Sequence, residues 1–235
     1  MKRNFIVMIC AVLMLLSTRA SAKTLVVYYS YTNNCREIVT TLTSQIEADV
    51  LEIQPAKKGL KYEANGYALG MQQLNAIKDA PNDANSYPAI DPVTTSQSDY
   101  GTIIIVTPLW WSQMAAPMQT YLFNYGGQMV GKNIGLIVSS ASSSISGVVA
   151  DCKRLVPDGK YFSENLWINH SNHSNRVSLI QNWLTAVNYN TVTGISEVKT
   201  ATSAPARIYD LAGRLLRQKP SKGIYIINGK KRIVE

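Results

Sequence analysis

The stretch that decides the fold reads LVVYYSYTNNCR and runs from Leu25 to Arg36. It begins as an apolar run of branched and aromatic residues without polar alternation, which is typical of a central parallel strand covered on both faces. The run then gives way to four hydroxyl and amide side chains, at Ser30, Thr32, Asn33 and Asn34. Such side chains, together with the free amides of a following helix, form an anion site. The stretch therefore predicts a strand that ends in a phosphate-binding loop.

Further apolar runs predict that strands and helices alternate along the chain. The predicted strands are residues 24–29, 50–53, 101–107, 134–138 and 166–169, the third of which stops at Pro108. The predicted helices are residues 36–48, 67–78, 147–155 and 177–187, with one more that starts near Pro117. This alternation indicates an α/β fold with a parallel sheet covered on both sides. In such sheets, ligands bind beyond the carboxyl ends of the strands, near the point where strand order reverses.

Three loops are predicted to meet at that edge of the sheet: residues 30–35, 108–112 and 139–144. The second loop contains Trp110 and Trp111, which a plain turn between a strand and a helix does not require. We therefore interpret the tryptophan pair as part of a ligand site, with simple packing as the alternative. The third loop is rich in serine, and it is either a ligand contact or a solvated turn.

These loops resemble those of the flavodoxin-like family. The stretch from Ser30 to Cys35 is similar to the Ser/Thr-x-Thr-Gly-x-Thr phosphate loop of flavodoxins. The stretch from Pro108 to Trp111 resembles the Pro-x-Trp-Trp second loop of one group in the family, and Tyr100, Pro117, Gly131-Lys132 and Trp183-Leu184 match that group as well. The resemblance covers residues 24–187. It implies a doubly wound five-stranded parallel sheet with strand order 2-1-3-4-5.

The same resemblance implies that FMN binds non-covalently, for electron transfer or for the reduction of a quinone-type acceptor. The first loop would hold the phosphate, a tryptophan would flank the flavin ring, and the third loop would contact the edge of the ring. The predicted site residues are Ser30, Tyr31, Thr32, Asn33, Asn34, Cys35, Pro108, Leu109, Trp110, Trp111, Ser140, Ala141, Ser142 and Ser143. No catalytic acid or base and no metal site is predicted.

Two residues of the first loop differ from the family pattern. Asn33 stands where the pattern has glycine, and asparagine tolerates the left-handed conformation better than most residues. Cys35 replaces a threonine, and the weaker hydrogen bond is expected to cost about 1 kcal/mol. Cys35 is interpreted as a small loop residue, with a reactive thiol at a helix N-terminus as the alternative. A disulfide with Cys152 is not expected, because that cysteine lies well inside a later helix.

The two histidines, His170 and His173, follow the last predicted strand and so lie at the same edge of the sheet. A zinc site would need further ligands, and none is spaced nearby in the sequence. We interpret both as loop residues, with an approach to the flavin or its substrate as the alternative.

The charge of the chain is unevenly distributed. The 235 residues are 46% hydrophobic and 16% charged, which indicates one main globular domain with appendages. Of the formal net charge of +8, residues 1–22 contribute +3, residues 23–195 contribute −1 and residues 196–235 contribute +6. A nearly neutral main domain gives no support to nucleic-acid binding.

Residues 1–22 have the pattern of a secretory signal peptide. Lys2 and Arg3 precede an apolar run over residues 5–16, and Ala20-Ser21-Ala22 is a small-residue cleavage signal. The alternatives are an N-terminal core helix and a membrane anchor, but spanning a bilayer takes about 20 apolar residues. The mature chain is therefore predicted to begin at Lys23, to have no transmembrane span and to be periplasmic, at the cell surface or secreted.

The C-terminal part of the chain is predicted to be a linker, residues 188–205, followed by a β tail, residues 206–235. Within the tail, Asn228-Gly229 predicts a tight hairpin turn. The tail resembles the C-terminal sorting tails of type IX secretion, which implies a contact with secretion machinery. The alternative is a β appendage that docks on the main domain.

Two functions remain open at this point. The first is an exported FMN-dependent oxidoreductase of residues 23–187, whose electron donor and acceptor the sequence does not identify. The second is a non-enzymatic binding protein outside the cytoplasm, built on a flavodoxin scaffold that has lost FMN. Fold alone does not separate the two.

Overall fold

The computed structural model describes residues 23–193 and four short strands between residues 208 and 234. The chain divides into two compact units, Met1–Ile195 and Ser196–Glu235. The predicted signal peptide, residues 1–22, lies outside the described residues, and so does most of the predicted linker.

The larger unit alternates strands and helices as predicted. Its strands are β1 (Thr24–Tyr28), β2 (Asp49–Glu52), β3 (Thr102–Trp110), β4 (Gln113–Met114), β5 (Asn133–Ser140), β6 (Lys160–Tyr161) and β7 (Leu166–Asn169). Its α-helices are α1 (Asn34–Thr43), α2 (Ala68–Asp79), α3 (Ala116–Tyr125), α4 (Ser146–Leu155), α5 (Arg176–Ala186) and α6 (Tyr189–Thr193). Helix α1 begins two residues before, and ends five residues before, the helix predicted over residues 36–48.

The main sheet is parallel and has the order β2-β1-β3-β5, with β6 and β7 both paired to β5. Strand β6 pairs with the start of β5, where Asn133 is opposite Lys160, and β7 pairs with its end, where Ile137 is opposite Leu166. The fifth position of the sheet is thus occupied by two segments. The predicted order 2-1-3-4-5 is confirmed, and the fold is flavodoxin-like.

Strand β1 is buried on both faces, and all five of its residues are buried. Leu25 and Val27 belong to an apolar cluster that includes side chains of α2, α3 and α4. Val26 and Tyr28 belong to a second cluster, which includes side chains of α1 and α5. Since alternate residues of a strand point to opposite faces, helices cover both faces of the sheet. This explains why the sequence of β1 is apolar without alternation.

The same two clusters separate the cysteines. Cys35 is in the cluster with α1, and Cys152 is in the cluster with α4. Within residues 23–193 both are buried free thiols on opposite sides of the sheet, so the expectation of no disulfide between them is confirmed.

The prediction that the third strand stops at Pro108 is wrong. Strand β3 continues to Trp110 and folds back into β4, so that Leu109 is opposite Met114. Proline normally marks the end of a central strand because it cannot donate a ladder hydrogen bond. Here its carbonyl still accepts a hydrogen bond from the Ala115 amide at 3.2 Å. The second loop therefore shortens to a two-residue turn, Trp111-Ser112.

The C-terminal side of the larger unit differs from the prediction in two respects. Helical periodicity places Val177 on the apolar face of the helix predicted over residues 177–187, but this residue is 58% exposed. The segment predicted as a linker from residue 188 begins instead with helix α6. Its Tyr189 is buried, and the hydroxyls of Tyr189 and Thr24 are hydrogen-bonded at 2.7 Å. The packed part of the unit thus extends beyond residue 187.

The smaller unit contains a four-stranded antiparallel sheet. Its strands are β8 (Ile208–Tyr209), β9 (Leu215–Leu216), β10 (Gly223–Ile227) and β11 (Lys230–Val234), in the order β11-β10-β8-β9. Ile227 is opposite Lys230, which confirms the hairpin predicted at residues 228–229. Throughout the described residues, every helix is too short or too polar to cross a membrane.

The contact between α6 and β1 gives a first prediction. Replacing Tyr189 with phenylalanine keeps the ring and leaves the buried Thr24 hydroxyl without this partner, which should lower the free energy of unfolding by about 1–3 kcal/mol. Denaturant unfolding of the purified protein measures the change. The control is Tyr67→Phe, because the side chain of Tyr67 is exposed. Equal stability of the two variants would show that the hydrogen bond between Tyr189 and Thr24 does not stabilise the domain.

Candidate functional site

A cavity of about 1300 Å³ lies at the carboxyl edge of the main sheet. Its walls come from the loops that follow β1, β2, β3, β5 and β7. Eleven of the fourteen predicted site residues line it: Ser30, Tyr31, Thr32, Asn34, Cys35, Pro108, Leu109, Trp110, Trp111, Ser140 and Ala141. The other three are Asn33, Ser142 and Ser143. The volume exceeds the roughly 300–1,000 Å³ of common small-molecule sites, so an extended ligand fits.

The first loop is shaped by Asn33, which has a left-handed backbone conformation with φ 66° at the N-cap of α1. Its carbonyl accepts the amide hydrogen of Glu37 at 2.9 Å, which starts the helix. The Ser30 hydroxyl accepts the Arg36 amide hydrogen at 3.3 Å. Asn33 thus supplies the conformation for which the family pattern uses glycine. Asn33 does not line the cavity, and its side-chain oxygen accepts a hydrogen bond from Arg36.

Cys35 lies in the first turn of α1 and is 2% exposed. Burial raises the pKa of its thiol, and a hydrogen bond with Ser139 lowers it by a smaller amount. A thiol that is kept protonated in an apolar environment is a poor nucleophile. The structure therefore favours the interpretation of Cys35 as a small packing residue over that of a reactive thiol.

Aromatic side chains form one wall of the cavity. The Trp110 ring packs against Tyr62, with centroids 4.7 Å apart, and against Tyr29, with centroids 5.7 Å apart. Tyr31 meets Tyr62 edge to face at 5.2 Å. Trp110 is therefore fixed inside a cluster, whereas Trp111 is 43% exposed. The cavity therefore has one tryptophan that is packed in place, Trp110, followed by one that is partly exposed to solvent, Trp111.

The turn that presents Trp111 is conformationally unusual. Trp111 and Ser112 have φ values of 46° and 65°, as in the two-residue turns that join antiparallel strands. A left-handed backbone is an outlier for so bulky a residue as tryptophan. Helix α4 holds the turn in place, because the Met114 amide donates to an Asp151 carboxylate oxygen at 3.0 Å. Gly147 of the same helix leaves room for the Ser112 carbonyl, with which any Cβ would clash.

Four lining residues come from the segment after β2, a polar region that the sequence left without an assigned function: Tyr62, Glu63, Tyr67 and Gly70. The Tyr31 hydroxyl donates to Glu63 and accepts the Tyr62 amide hydrogen at 3.1 Å. The bond from Tyr31 lowers the pKa of the Glu63 carboxyl. The Asn65-Gly66 pair is a turn signal in the sequence, but only the tertiary structure brings this turn to the cavity.

The third loop contributes less than predicted. Strand β5 extends to Ser140, two residues past the predicted end at Val138. Its last residue lines the cavity, and the Ser140 hydroxyl accepts a hydrogen bond from the Trp167 indole at 2.8 Å. Ala141 follows it on the wall, but Ser142 and Ser143 are exposed and lie outside the lining. The sequence could not separate these serines, because their composition suits both a strand end and a solvated turn.

The loop after β7 forms the opposite wall. His170 and His173 both line the cavity, together with Asn169, Ser174 and Arg176. The Arg176 guanidinium lies 3.5 Å from the Glu37 carboxylate, and His173 Nδ1 lies 3.9 Å from the same oxygen. Both histidines thus line the cavity, and Arg176 is a lining residue that sequence reasoning missed.

The loops that bear the phosphate pattern and the tryptophans meet at one cavity, on a sheet of order 2-1-3-4-5. A family model described as Flavodoxin matches residues 23–187. The chain belongs to the flavodoxin family. Among curated proteins, none matches this flavodoxin in sequence.

Solved structures resemble this flavodoxin over its larger unit. A candidate flavoprotein from Bacteroides eggerthii DSM 20697 is 23% identical over 71% of this chain and 98% of its own, with a TM-score of 0.57. A flavoprotein from Lactobacillus acidophilus NCFM, solved in complex with FMN, is 17% identical over 66% and 97%, with a TM-score of 0.52. A candidate flavoprotein from Bacteroides uniformis ATCC 8492 is 25% identical over 68% and 99%, with a TM-score of 0.51. These likenesses support the flavodoxin-like fold.

The packing of Gly147 against the tryptophan turn gives a second prediction. Gly147→Ala forces the turn away from α4, and strain of this kind costs about 1–3 kcal/mol of unfolding free energy. Denaturant unfolding measures the loss, and the emission spectrum of the folded protein should change because Trp111 moves. The control is Gly127→Ala, at a site where an added Cβ meets open space. If both variants match the wild type, α4 does not hold this turn.

Proposed function

We propose that this flavodoxin binds FMN non-covalently in the cavity and uses it for electron transfer or for flavin-dependent reduction. The observation that carries the proposal is the left-handed Asn33, a backbone conformation that glycine adopts readily, at the position where the flavodoxin phosphate loop has glycine. The FMN complex of the similar Lactobacillus acidophilus flavoprotein supports the choice of ligand.

The phosphate end of the cavity is formed by the first loop and the start of α1. Ser30, Thr32 and Asn34 line the cavity with polar side chains, and the first amides of a ten-residue helix begin there. Amides at a helix N-terminus, with the helix dipole behind them, favour an anion. In our proposal these groups bind the FMN phosphate. Cys35 packs beneath the loop. The hydrogen bond that the threonine of the family pattern would donate to the phosphate is therefore missing here.

The ring end of the cavity is formed by the aromatic wall and the third loop. A flat aromatic ligand gains from stacking or edge contacts with tryptophan and tyrosine. Trp111 is exposed enough to cover a bound ring, while Trp110 is held by Tyr29 and Tyr62. Ser140 and Ala141 lie on the wall that would face the edge of the ring. Bound FMN would supply the reversible uptake of electrons, and the protein residues would orient it and exclude water.

Titration of the purified protein with FMN tests the proposal. FMN fluorescence should be quenched with saturation at micromolar concentration or below. Thr32→Val removes a hydroxyl from the phosphate loop, and the loss of one hydrogen bond to a charged group should weaken binding by about tenfold or more. The matched control is Thr40→Val, because Thr40 is an exposed residue of α1 outside the cavity lining.

The outcomes separate the two open functions. Saturable binding that is weakened only by Thr32→Val supports the phosphate assignment. Equal effects of the two threonine variants would overturn that assignment. A complete lack of FMN binding would overturn the proposal and favour the alternative, a binding protein on a flavodoxin scaffold that has lost FMN.

We also propose that the chain is exported, which the residue pattern of 1–22 supports. Sequencing the N-terminus of the protein produced in a secreting bacterium should give Lys23 as the first residue. Ala22→Leu should block this cleavage because the site accepts only small residues, whereas Ser21→Leu should not. Cleavage of both variants, or of neither, would contradict the assigned site.

The C-terminal tail is proposed to contact secretion machinery, on the strength of its resemblance to type IX sorting tails. Deletion of residues 206–235 should then leave cleavage after Ala22 unchanged and retain the protein in the periplasm. An unchanged distribution between periplasm, cell surface and medium would favour the alternative, a β appendage without a role in sorting.

A further inference from the structure

We propose that Arg176 recognises the phosphate of the flavin by charge, with His173 beside it as a hydrogen-bonding partner, and that Glu37 is the partner they give up when the phosphate binds. This inference rests on the proposed FMN function and adds residues to its site. Arg176 and His173 come from the loop after β7 and the start of α5, far in sequence from the phosphate loop. The resemblance to flavodoxin loops did not include them.

The three side chains form one cluster on the cavity wall. A Glu37 carboxylate oxygen lies 3.5 Å from the Arg176 guanidinium and 3.9 Å from His173 Nδ1. All three residues line the cavity. Glu37 belongs to the first turn of α1, the helix whose N-terminus forms the phosphate loop. The cluster therefore lies beside the place where the proposed phosphate would bind.

Arg176 is oriented by α1 as well as by its own loop. Its Nε donates to the Thr41 hydroxyl at 3.2 Å, and another guanidinium nitrogen donates to the His173 carbonyl at 3.3 Å. The side chain is 29% exposed, so its charge is only partly screened by water. A guanidinium stays protonated at every relevant pH and suits phosphate geometry. Arg176 is therefore a fixed positive charge at this end of the cavity.

The present pairing with Glu37 is loose. Strong charge-assisted hydrogen bonds between nitrogen and a carboxylate measure about 2.7–2.9 Å, well below both distances here. The pairing also leaves the Nε2 atom of His173 buried without a hydrogen-bond partner among the described residues. Unsatisfied buried polar atoms are rare in native proteins. The long contact between Arg176 and the half-exposed Glu37 therefore allows a stronger anionic partner to replace Glu37.

A phosphate monoester is such a partner. It carries a charge of about −1.5 to −2 near pH 7, compared with −1 for a carboxylate, and it offers three acceptor oxygens. Glu37 is 51% exposed, so it can turn into solvent when the phosphate arrives. If Glu37 stayed in place, its negative charge would repel the phosphate. Removing Glu37 and removing Arg176 should therefore have opposite effects on FMN affinity.

The other arginine near the loop does not provide this charge. The Arg36 guanidinium bonds to Asn33 and lies 2.5 Å from the Glu52 carboxylate. Arg36 is not among the cavity-lining residues described, whereas Arg176 is. Of the two arginines near the loop, Arg176 is therefore the one that can act on a ligand in the cavity.

The test compares FMN with riboflavin, which has the same ring and lacks the phosphate. The variants are Arg176→Gln, Glu37→Gln and the double variant, each titrated with both flavins by fluorescence quenching. Arg176→Gln should weaken FMN binding by about tenfold, as expected for a charge-assisted contact, and Glu37→Gln should strengthen it about threefold or more. The double variant should fall between the two. Riboflavin binding, where measurable, should stay within about twofold throughout, since it carries no phosphate charge.

Two controls reproduce the charge changes away from the cavity: Lys78→Gln and Glu47→Gln, both at exposed positions. They should leave FMN affinity unchanged. The inference is overturned if the single variants shift FMN affinity in the same direction, if neither shifts it, or if riboflavin affinity falls in parallel. Failure of the wild-type protein to bind FMN would instead overturn the proposed function. His173→Gln should weaken FMN binding less than Arg176→Gln, because a guanidinium carries the fixed charge.

Discussion

The structure depends on the burial of β1 between two layers of helices. Each apolar residue of this strand fills one of two separate cores, so the strand cannot shift by one residue without exchanging all its contacts. The register with β3, in which Val26 lies opposite Ile104, fixes where both strands end. Because the strand ends are fixed, the loops that follow them meet at one cavity. The candidate site is therefore a consequence of how the core is packed.

Conformational strain is concentrated at the rim of that cavity. The described residues with a left-handed backbone outside glycine include Asn33 in the first loop, Tyr67 after β2, and Trp111 with Ser112 in the tryptophan turn. Each such position costs free energy and persists only because the surrounding structure holds it. Here the support comes from rigid elements: α1 begins at Asn33, and α4 packs against the tryptophan turn. A preformed cavity spares the ligand part of the cost of ordering these loops.

The chemistry of the cavity changes from one wall to the other. Tyrosines and tryptophans on one side offer flat apolar contact, with the Glu63 carboxylate beside Tyr31, and the loop after β7 offers imidazole and guanidinium groups. Flavin mononucleotide has the same division, with a flat ring system at one end and a phosphate at the other. The buried Cys35 does not add a thiolate to this site, because burial keeps its thiol protonated. In the proposed complex, the aromatic wall would bind the flavin ring, and the first loop with Arg176 would bind the phosphate.

The sequence by itself determined the order of strands and helices, the parallel sheet and the first loop, because apolar runs and turn residues act locally. It also indicated that Trp110 and Trp111 belong to a ligand site, because a plain turn does not require tryptophan. Only the tertiary structure decided that β3 continues through Pro108, that Ser142 and Ser143 lie outside the cavity, and that Tyr62 and Arg176 belong to it. The reason is physical: these outcomes depend on contacts between residues distant in the chain, such as Arg176 with Glu37 and Gly147 with Ser112. Hydrophobic periodicity and residue spacing describe neighbours along the chain, so they do not predict such contacts.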